Sequence, residues 1–296
     1  MFTLPFPKLC LSTLGLFVIA LHTAVAAELG AISEFPDQVF ASTPETDLRV
    51  DIFVPKGGKR PPLLLYIHGG GWKSGTRKAP FAKSLAEQGF AVASIDYRFS
   101  SQAKFPSQIF DCKGAVRWLR ANASRFCYDA SRVAVMGESA GGQLAVLLGT
   151  SGGEEELEGD VGGNKDQSSK VQAVVDFFGA TDFLLRSRTQ PAMTETPGAV
   201  AYDYLGGPVS EKKELARLAS GVSFVTKDDP PLLAVHGDAD QQVLIDQSER
   251  IVDAYKKKGL EAEFIVVPGG VHSGLRYHEG EIKKSVVEFL TKFLHR

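Results

Sequence analysis

A serine in a pentapeptide that begins and ends with glycine is the first feature of this sequence that could do chemistry. Residues 137–141 read Gly-Glu-Ser-Ala-Gly; they follow the apolar run Val133 to Met136 and precede a helical stretch, Gln143 to Leu148. A strand, sharp turn and helix of this kind expose the serine hydroxyl at the sheet edge, near the positive end of the helix. The pattern therefore predicts that Ser139 is a nucleophile.

A serine hydroxyl needs a base, and the base needs an acid that holds it in the right tautomer. His272 comes shortly after the β-rich run Ala262 to Val267, and Asp238 and Asp240 follow the run Leu232 to Val235. Parallel strands deliver their carboxyl ends to one sheet edge, so these side chains should converge there. We expect His272 to be the base and Asp240 its acid, with Asp238 as the alternative acid.

A glycine-rich segment supplies candidate donors for a developing negative charge. His68 to Trp72 reads His-Gly-Gly-Gly-Trp and follows the apolar run Leu63 to Ile67. Glycines let backbone N–H groups approach an oxyanion closely, and we expect the N–H groups of Gly70, Gly71 and Ala140 to serve in this way. The segment lacks the Lys and Ser/Thr that complete a phosphate-binding loop.

The other histidines have less demanding explanations. His68 and His236 each end an apolar run, where a hydrogen bond that fixes a loop is the expected role. His278 and His295 precede or lie in the last helical stretch, and we expect both at the surface.

The elements that must position these residues alternate along the chain from about Leu48. Short apolar strand candidates alternate with longer helix candidates, which is typical of an α/β fold with a mostly parallel sheet and helices on both faces. The predicted strands are Leu48 to Val54, Leu63 to Ile67, Phe90 to Ile95, Arg132 to Met136, Val171 to Phe178, Leu232 to Val235 and Ala262 to Val267. The predicted helices are Ala79 to Gln88, Ser107 to Asn122, Ser139 to Leu148, Val243 to Lys258 and Glu281 to Leu294.

Two stretches interrupt this alternation. Gly149 to Ser169 is rich in Gly, Glu, Asp and Ser and is predicted to be a solvated, mobile loop; its acidic residues lack the regular alternation of a calcium loop. Thr181 to Asp229 is predicted to be an insertion with helical pieces around Tyr202 and at Glu211 to Leu218, arching over the catalytic edge of the sheet. We expect no metal and no cofactor.

The N-terminus has the pattern of a secretory signal peptide. Lys8 precedes the apolar run Leu9 to Leu21, and small residues, Ala24 to Ala27, follow. A retained anchor is the alternative, but about 13 apolar residues fall short of the roughly 20 that cross a bilayer. We therefore expect residues 1–26 to be removed and residues 27–296 to form one secreted or periplasmic domain without a stable membrane anchor.

The net charge bears on nucleic-acid binding, and the positions of the cysteines bear on disulfide formation. The formal net charge of −2 gives no basic field for phosphates, so nucleic acid is not an expected partner. Cys10 would leave with the signal peptide, and the predicted helix holds Cys112 and Cys127 too far apart for a disulfide. We expect two buried free thiols.

With these motifs in place, the sequence resembles the α/β-hydrolase superfamily, and within it the hormone-sensitive-lipase-like and feruloyl-esterase-like (BD-FAE) esterases. Further similar segments are DYR at 96–98, DCKGAVRWLR at 111–120, DASRVAVMGESAGG at 129–142 and HGDADQQV at 236–243. The family pattern H-G-x-x-D-x-x-V places the acid on Asp240 rather than Asp238. The resemblance also implies that Asp96, Arg98 and Asp111 are scaffold residues.

The sequence departs from hormone-sensitive-lipase relatives in one respect. Those relatives usually carry a sizeable N-terminal cap, whereas only about twenty mature residues precede the first predicted strand here. This difference favours the feruloyl-esterase-like branch, whose members are associated with feruloyl or acetyl esters of plant polysaccharides.

The expected function is hydrolysis of short-chain carboxylic esters through an acyl-enzyme, on a small-molecule or polysaccharide-linked substrate. A serine peptidase or an aryl-formamidase would use the same three side chains and differ in pocket and leaving group. A non-catalytic binding module on the same fold is the third alternative, although such relatives typically lose the nucleophile. The natural alcohol and the oligomeric state stay open at this point.

Overall fold

A single eight-stranded sheet forms the centre of the molecule in the computed structural model, which describes residues 31–57 and 60–294. The predicted signal peptide and its cleavage site lie outside these residues. The strands are β1 (Ile32–Ser42), β2 (Asp47–Pro55), β3 (Pro62–Ile67), β4 (Ala91–Ile95), β5 (Asp129–Glu138), β6 (Ala173–Phe177), β7 (Leu232–Gly237) and β8 (Ala262–Val267). Their order across the sheet is β1-β2-β4-β3-β5-β6-β7-β8.

Strands β3 to β8 run parallel, whereas β2 is antiparallel to both β1 and β4. The helices are α1 (Pro80–Ala86), α2 (Ser107–Ala121), α3 (Ala123–Phe126), α4 (Ala140–Thr150), α5 (Phe183–Thr189), α6 (Pro191–Thr194), α7 (Val200–Leu205), α8 (Lys213–Ala219), α9 (Asp246–Lys257) and α10 (Gly280–Leu294). The prediction of a mostly parallel α/β sheet covered on both faces is confirmed, and each predicted strand and helix has its counterpart.

Two apolar cores lie on opposite faces of the sheet. Along β3, Leu63, Leu65 and Ile67 belong to the core that includes residues of α2, α4 and α9, whereas Leu64 and Tyr66 belong to the core that includes residues of α1 and α10. Successive side chains of a strand point to opposite faces, and both faces are covered, so the strand is apolar throughout.

Strand β1 was not predicted from the sequence. Its side chains are mostly exposed or half-buried, and the register with β2 shifts between Phe35 and Gln38, on either side of Pro36 and Asp37. A bulged edge strand of this kind lacks the continuous apolar run that marks a central strand. The residues before β2 thus extend the sheet, and no helical cap is found in the described part of this region.

Two predictions about the surface of the protein need correction. The stretch from Gly149 to Ser169 contains a 3₁₀ turn, Glu155–Leu157, and its Glu158 carboxylate binds the buried side chains of Lys113 and Arg117. This anchor ties the loop to α2, so its acidic residues are not all simply solvated.

The second correction concerns the cysteines. Both are free, but only Cys112 is buried, whereas Cys127 is exposed because it occupies the turn after α3 with a left-handed backbone (φ 62°). Among the described residues, no helix combines the length and the hydropathy needed to cross a bilayer.

Candidate active site

Ser139 occupies a tight turn between β5 and α4. Its backbone has a positive φ (φ 53°, ψ −115°), which is costly for a residue with a side chain and is typical of functional turns. A side chain at Gly141 would lie 2.1 Å from the Ile67 carbonyl oxygen, so only glycine lets α4 pack this closely against the end of β3. The local sequence therefore forces the serine to the sheet edge, at the amino end of α4.

The structure brings the predicted Ser139, His272 and Asp240 together. The Oγ of Ser139 lies 2.8 Å from Nε2 of His272, and Nδ1 of the same ring lies 2.6 Å from Oδ2 of Asp240. With its proton on Nδ1, the imidazole donates to the carboxylate and leaves Nε2 free to accept from the serine hydroxyl. The Phe178 ring packs against the imidazole, with 4.8 Å between ring centroids.

The Asp240 carboxylate is buried and has several donors. Oδ1 accepts hydrogen bonds from the N–H groups of Gln242 and Val243, and Oδ2 lies 3.2 Å from Nε2 of His236 as well as near His272. Burial alone would raise the pKa of Asp240, but hydrogen bonds from His236 and His272 outweigh it and hold the pKa well below its usual range. The carboxylate is therefore ionised at any pH at which the protein is expected to work.

The two alternative residues of this segment have other partners. Oδ1 of Asp238 accepts from the Gly269 N–H at 2.6 Å, and its carboxylate forms no hydrogen bond with His272. His236 contacts Ser248 Oγ through Nδ1 (2.8 Å) and the Val243 carbonyl through Nε2 (2.9 Å). The prediction that His236 fixes a loop is thus confirmed, and that loop carries Asp240.

The glycine-rich segment lies beside the serine. Gly70 has a φ of 110°, and a side chain there would lie 2.1 Å from the Ser74 carbonyl oxygen, so this turn requires glycine. The predicted donors Gly70, Gly71 and Ala140 all line the same cavity as Ser139. Within the described part of the chain, no residue accepts a hydrogen bond from these three N–H groups, which leaves them available to an oxyanion.

The cavity above Ser139 has a volume of about 610 Å³. The insertion before β7 contributes three of its lining residues, Arg186, Met193 and Val200, so this segment borders the cavity that contains Ser139. The insertion contains α5 to α8, of which α7 and α8 correspond to the predicted helical pieces. The remaining wall includes Trp72, Phe178, Ala180, Gln242, Val243 and Ser273.

A buried polar contact joins the insertion to the glycine-rich segment. The Trp72 ring stacks on Tyr204 of α7, with 4.3 Å between centroids, and its Nε1 donates to Gln143 Oε1 at 3.0 Å. Gln143 Oε1 also lies 3.4 Å from the Tyr204 hydroxyl, and Nε2 donates to the Ala219 carbonyl at 2.7 Å. This side chain therefore links α4, Trp72 and the insertion.

A second polar group beside the serine was not predicted. Glu138 lines the cavity; its carboxylate accepts a hydrogen bond from the Tyr66 hydroxyl and lies 3.5 Å from Nε2 of His278. His278, expected at the surface, is instead half-buried against Phe81, with 4.2 Å between ring centroids. The imidazole is half-buried because it packs against the apolar ring of Phe81.

Sequence reasoning also missed the cavity residues of the insertion. Arg186 and Met193 stand in a segment without motif spacing, and no local pattern distinguishes them from neighbouring surface residues such as Arg188. The scaffold residues implied by the resemblance do form ion pairs: Arg98 binds Asp111 at 2.7 Å, and Asp96 binds Arg77.

Comparison with known proteins gives a family match and curated relatives. The BD-FAE family model matches residues 50–255. Esterase LipC of Mycobacterium tuberculosis is 30% identical over 218 residues, which make up 72% of this chain and 53% of the relative. The chain thus spans about half the length of the curated relatives it matches.

Solved structures show the same fold. A truncated form of a carbohydrate esterase from gut microbiota has a TM-score of 0.81 at 30% identity, covering 91% of this chain and 98% of its own. A bifunctional GH43-CE protein of Bacteroides eggerthii has a TM-score of 0.80 at 32% identity, covering 88% of this chain and 38% of its own. The fold of the described chain is thus that of α/β-hydrolase esterases.

Proposed function

The chain belongs to the BD-FAE family, and from this premise we propose that it is a serine carboxylesterase with Ser139 as nucleophile, His272 as base and Asp240 as orienting acid. The observation that carries the proposal is the continuous contact from Ser139 Oγ through both ring nitrogens of His272 to Asp240 Oδ2. In serine hydrolases this continuous arrangement of hydroxyl, imidazole and carboxylate activates the serine.

Acylation begins when Ser139 Oγ attacks the ester carbonyl carbon and its proton passes to Nε2 of His272. The N–H groups of Gly70, Gly71 and Ala140 donate hydrogen bonds that stabilise the negative charge developing on the carbonyl oxygen. The imidazolium next to the ionised Asp240 then gives its proton to the leaving alcohol oxygen, and the acyl group stays on the serine.

Deacylation repeats these steps with water. A water molecule attacks the acyl carbon while His272 accepts its proton, and the same N–H groups again receive the oxyanion. Return of the proton to Ser139 Oγ releases the carboxylic acid and restores the site.

We further propose short-chain acyl esters, including acyl groups carried by carbohydrates, as substrates. A cavity of about 610 Å³ bordered by a charged insertion suits a small acyl group better than a long lipid chain. The structural relatives at 30% and 32% identity are a carbohydrate esterase and a GH43-CE protein, which supports a sugar-linked ester.

The test is kcat/KM of the purified protein for p-nitrophenyl esters of two to sixteen acyl carbons, alongside acetylated xylan, methyl ferulate and peptide anilides. We expect an optimum from two to four acyl carbons and no cleavage of the anilides, with the Ser139→Ala variant as control. An optimum at twelve carbons or more would contradict a short acyl pocket, and faster cleavage of anilides would indicate a peptidase.

Export is also proposed, from the sequence of residues 1–27. Sequencing of the N-terminus of protein from its native host should begin at Ala27 or Glu28, since the small residues Ala24 to Ala27 supply the cleavage site. An intact Met1 on cytosolic protein would refute this proposal and leave the esterase proposal untouched.

A further inference from the structure

Arg186 is a buried cation in the wall of the cavity. It belongs to α5, only 2% of its surface is exposed, and it lines the same cavity as Ser139 and His272. The proposed ester hydrolysis assigns no role to this side chain. A positive charge beside an ester site selects among substrates, because it interacts with charge that only some of them carry.

The guanidinium group is incompletely paired. Its Nη2 donates to the Gln242 carbonyl at 2.7 Å, whereas its buried Nε has no hydrogen-bond partner among the described residues. Burial lowers the pKa of Arg186 to about 10, although Asp240 and Asp246 favour its charged form from a distance. The group therefore stays protonated at neutral pH, and no carboxylate of the described chain forms an ion pair with it.

The other buried cations of the described chain contrast with Arg186. Arg98 is paired with Asp111, and Lys113 and Arg117 share the Glu158 carboxylate. An unpaired charge is expensive to bury, because the lost hydration is not replaced. The cation that lacks a carboxylate is thus the one that borders the cavity.

Two local explanations do not account for the charge. The Gln242 carbonyl needs a single donor, which a neutral side chain would supply, whereas arginine offers five N–H groups in a planar fork. The other charged group of the wall, Glu138, is bound by Tyr66 and lies near His278, and it does not neutralise Arg186. The fork suits a planar anion that enters the cavity with the substrate.

We propose that Arg186 binds a carboxylate of the substrate, so that the preferred esters are anionic. This inference rests on the proposed esterase function and narrows its substrate class. The carboxylate belongs either to the acyl part, as in the monoester of a dicarboxylic acid, or to the alcohol part, as in an acylated hydroxy acid such as a uronate.

Two pairs of esters of matched shape distinguish these sources. Ethyl hydrogen succinate and ethyl levulinate differ by a carboxylate against a methyl ketone in the acyl part. 4-Acetoxybutanoate and 5-acetoxypentan-2-one differ in the same way in the alcohol part. We expect the wild-type protein to prefer the carboxylate member of at least one pair by about tenfold or more in kcat/KM, followed by pH-stat.

Variants of Arg186 test whether the preference for the charged ester depends on its guanidinium group. Arg186→Met should reduce the ratio of charged to neutral ester in that pair by about 10- to 100-fold, the usual value of a hydrogen bond to a charged group. Arg186→Lys should keep part of the ratio, and Arg188→Met, which removes an exposed charge from the same helix, should leave it unchanged.

Two results would overturn the proposal: wild-type protein that prefers the carboxylate member of neither pair, or a ratio of charged to neutral ester that is unchanged in Arg186→Met. If that unchanged ratio came with an equal loss of activity on both esters, Arg186 would be assigned to holding the Gln242 loop. If the variant does not fold, the wild-type ratios alone decide. Failure of wild-type protein on every ester, neutral or charged, would refute the esterase function itself.

Discussion

Asp240 lies between two histidines, and these two contacts separate it from its neighbour Asp238. His272 lies 2.6 Å from one carboxylate oxygen of Asp240, and His236 holds the same oxygen from the other side at 3.2 Å. Asp238 instead holds the Gly269 N–H, in the loop that leads to His272. At the residue scale, the carboxylate that contacts the His272 imidazole and the carboxylate that holds the loop thus belong to different residues.

We predict that Asp240→Asn lowers kcat by about 10⁴-fold, because an amide does not hold the imidazole in the required tautomer. Asp238→Asn should lower kcat by less than about tenfold, since it weakens a single loop contact. Steady-state kinetics on a short p-nitrophenyl ester measure both, with circular dichroism as the folding control. The reverse order of effects would show that Asp238 is the acid.

Asp176 is a second buried carboxyl group, and its pKa is raised, whereas the pKa of Asp240 is lowered. It lies on β6, is fully buried and accepts the Gly179 N–H at 3.0 Å, while its Oδ2 has no partner among the described residues. Burial raises the pKa of Asp176 to about 7, despite the opposing effects of His236 and the Gly179 N–H. In the unfolded chain this carboxyl would titrate near its ordinary value of 3.8.

The folded state therefore keeps a proton that the unfolded state loses between about pH 4 and 7. The protein should lose stability as pH rises through this range, and Asp176→Asn should remove the loss. The free energy of unfolding in urea, variant minus wild type, should increase by about 2 to 3 kcal/mol from pH 5 to pH 8. The exposed Asp253→Asn serves as control; the same difference at both pH values would contradict the assignment.

At the scale of elements, Gln143 connects three parts of the fold that shape the cavity. It accepts from Trp72 of the glycine-rich segment, lies within reach of Tyr204 in α7, and donates to Ala219 at the end of α8. This fully buried amide is thus one of the contacts that attach the insertion to the rest of the fold.

We predict that Gln143→Leu destabilises the protein by about 2 to 4 kcal/mol, because it leaves buried donors and acceptors without partners. Activity on short esters should also fall, since Trp72 is part of the segment that presents Gly70 and Gly71. Urea unfolding with the exposed Gln88→Leu as control measures the first effect. An unfolding free energy within 0.5 kcal/mol of wild type, the usual range for surface substitutions, would contradict this role.

The elements differ in how far the sequence predicts them. Central strands such as β3 and β7 are buried on both faces, so their apolar runs are visible in the sequence and Asp240 could be placed after β7. Strand β1 escapes prediction because its half-exposed, bulged pairing with β2 leaves no such run. The exchange of β3 and β4 in the strand order depends on tertiary packing, which local patterns do not encode.

The residues of the candidate site also divide into those that the sequence predicts and those that it does not. Ser139, Gly70 and Gly71 belong to motifs with fixed spacing, and His272 follows a predicted strand, so their convergence could be predicted from the way parallel strands end at one edge. Arg186 could not, because its importance comes from burial without a carboxylate partner, which depends on residues more than fifty positions away, such as Gln242. Arg186 is therefore recognised by its burial and its missing partner in the fold, and an arginine at this position in the sequence gives no such indication.

At the scale of the whole molecule, the parallel sheet brings distant residues of the chain to one edge. Ser139 follows β5, Asp240 follows β7 and His272 follows β8, so strands from the second half of the sheet fix all three side chains relative to one another. The insertion then closes one side of the cavity over them. The proposed function therefore depends most on whether Ser139 is an activated nucleophile.

The most direct test is labelling with diethyl p-nitrophenyl phosphate, which transfers its phosphoryl group to an activated serine, followed by peptide mass spectrometry. If Ser139 is the nucleophile, we expect one label per chain, on Ser139, with esterase activity lost in proportion to labelling and no label in the Ser139→Ala variant. Labelling of another residue in step with the loss of activity, or equal labelling of Ser139→Ala, would contradict it.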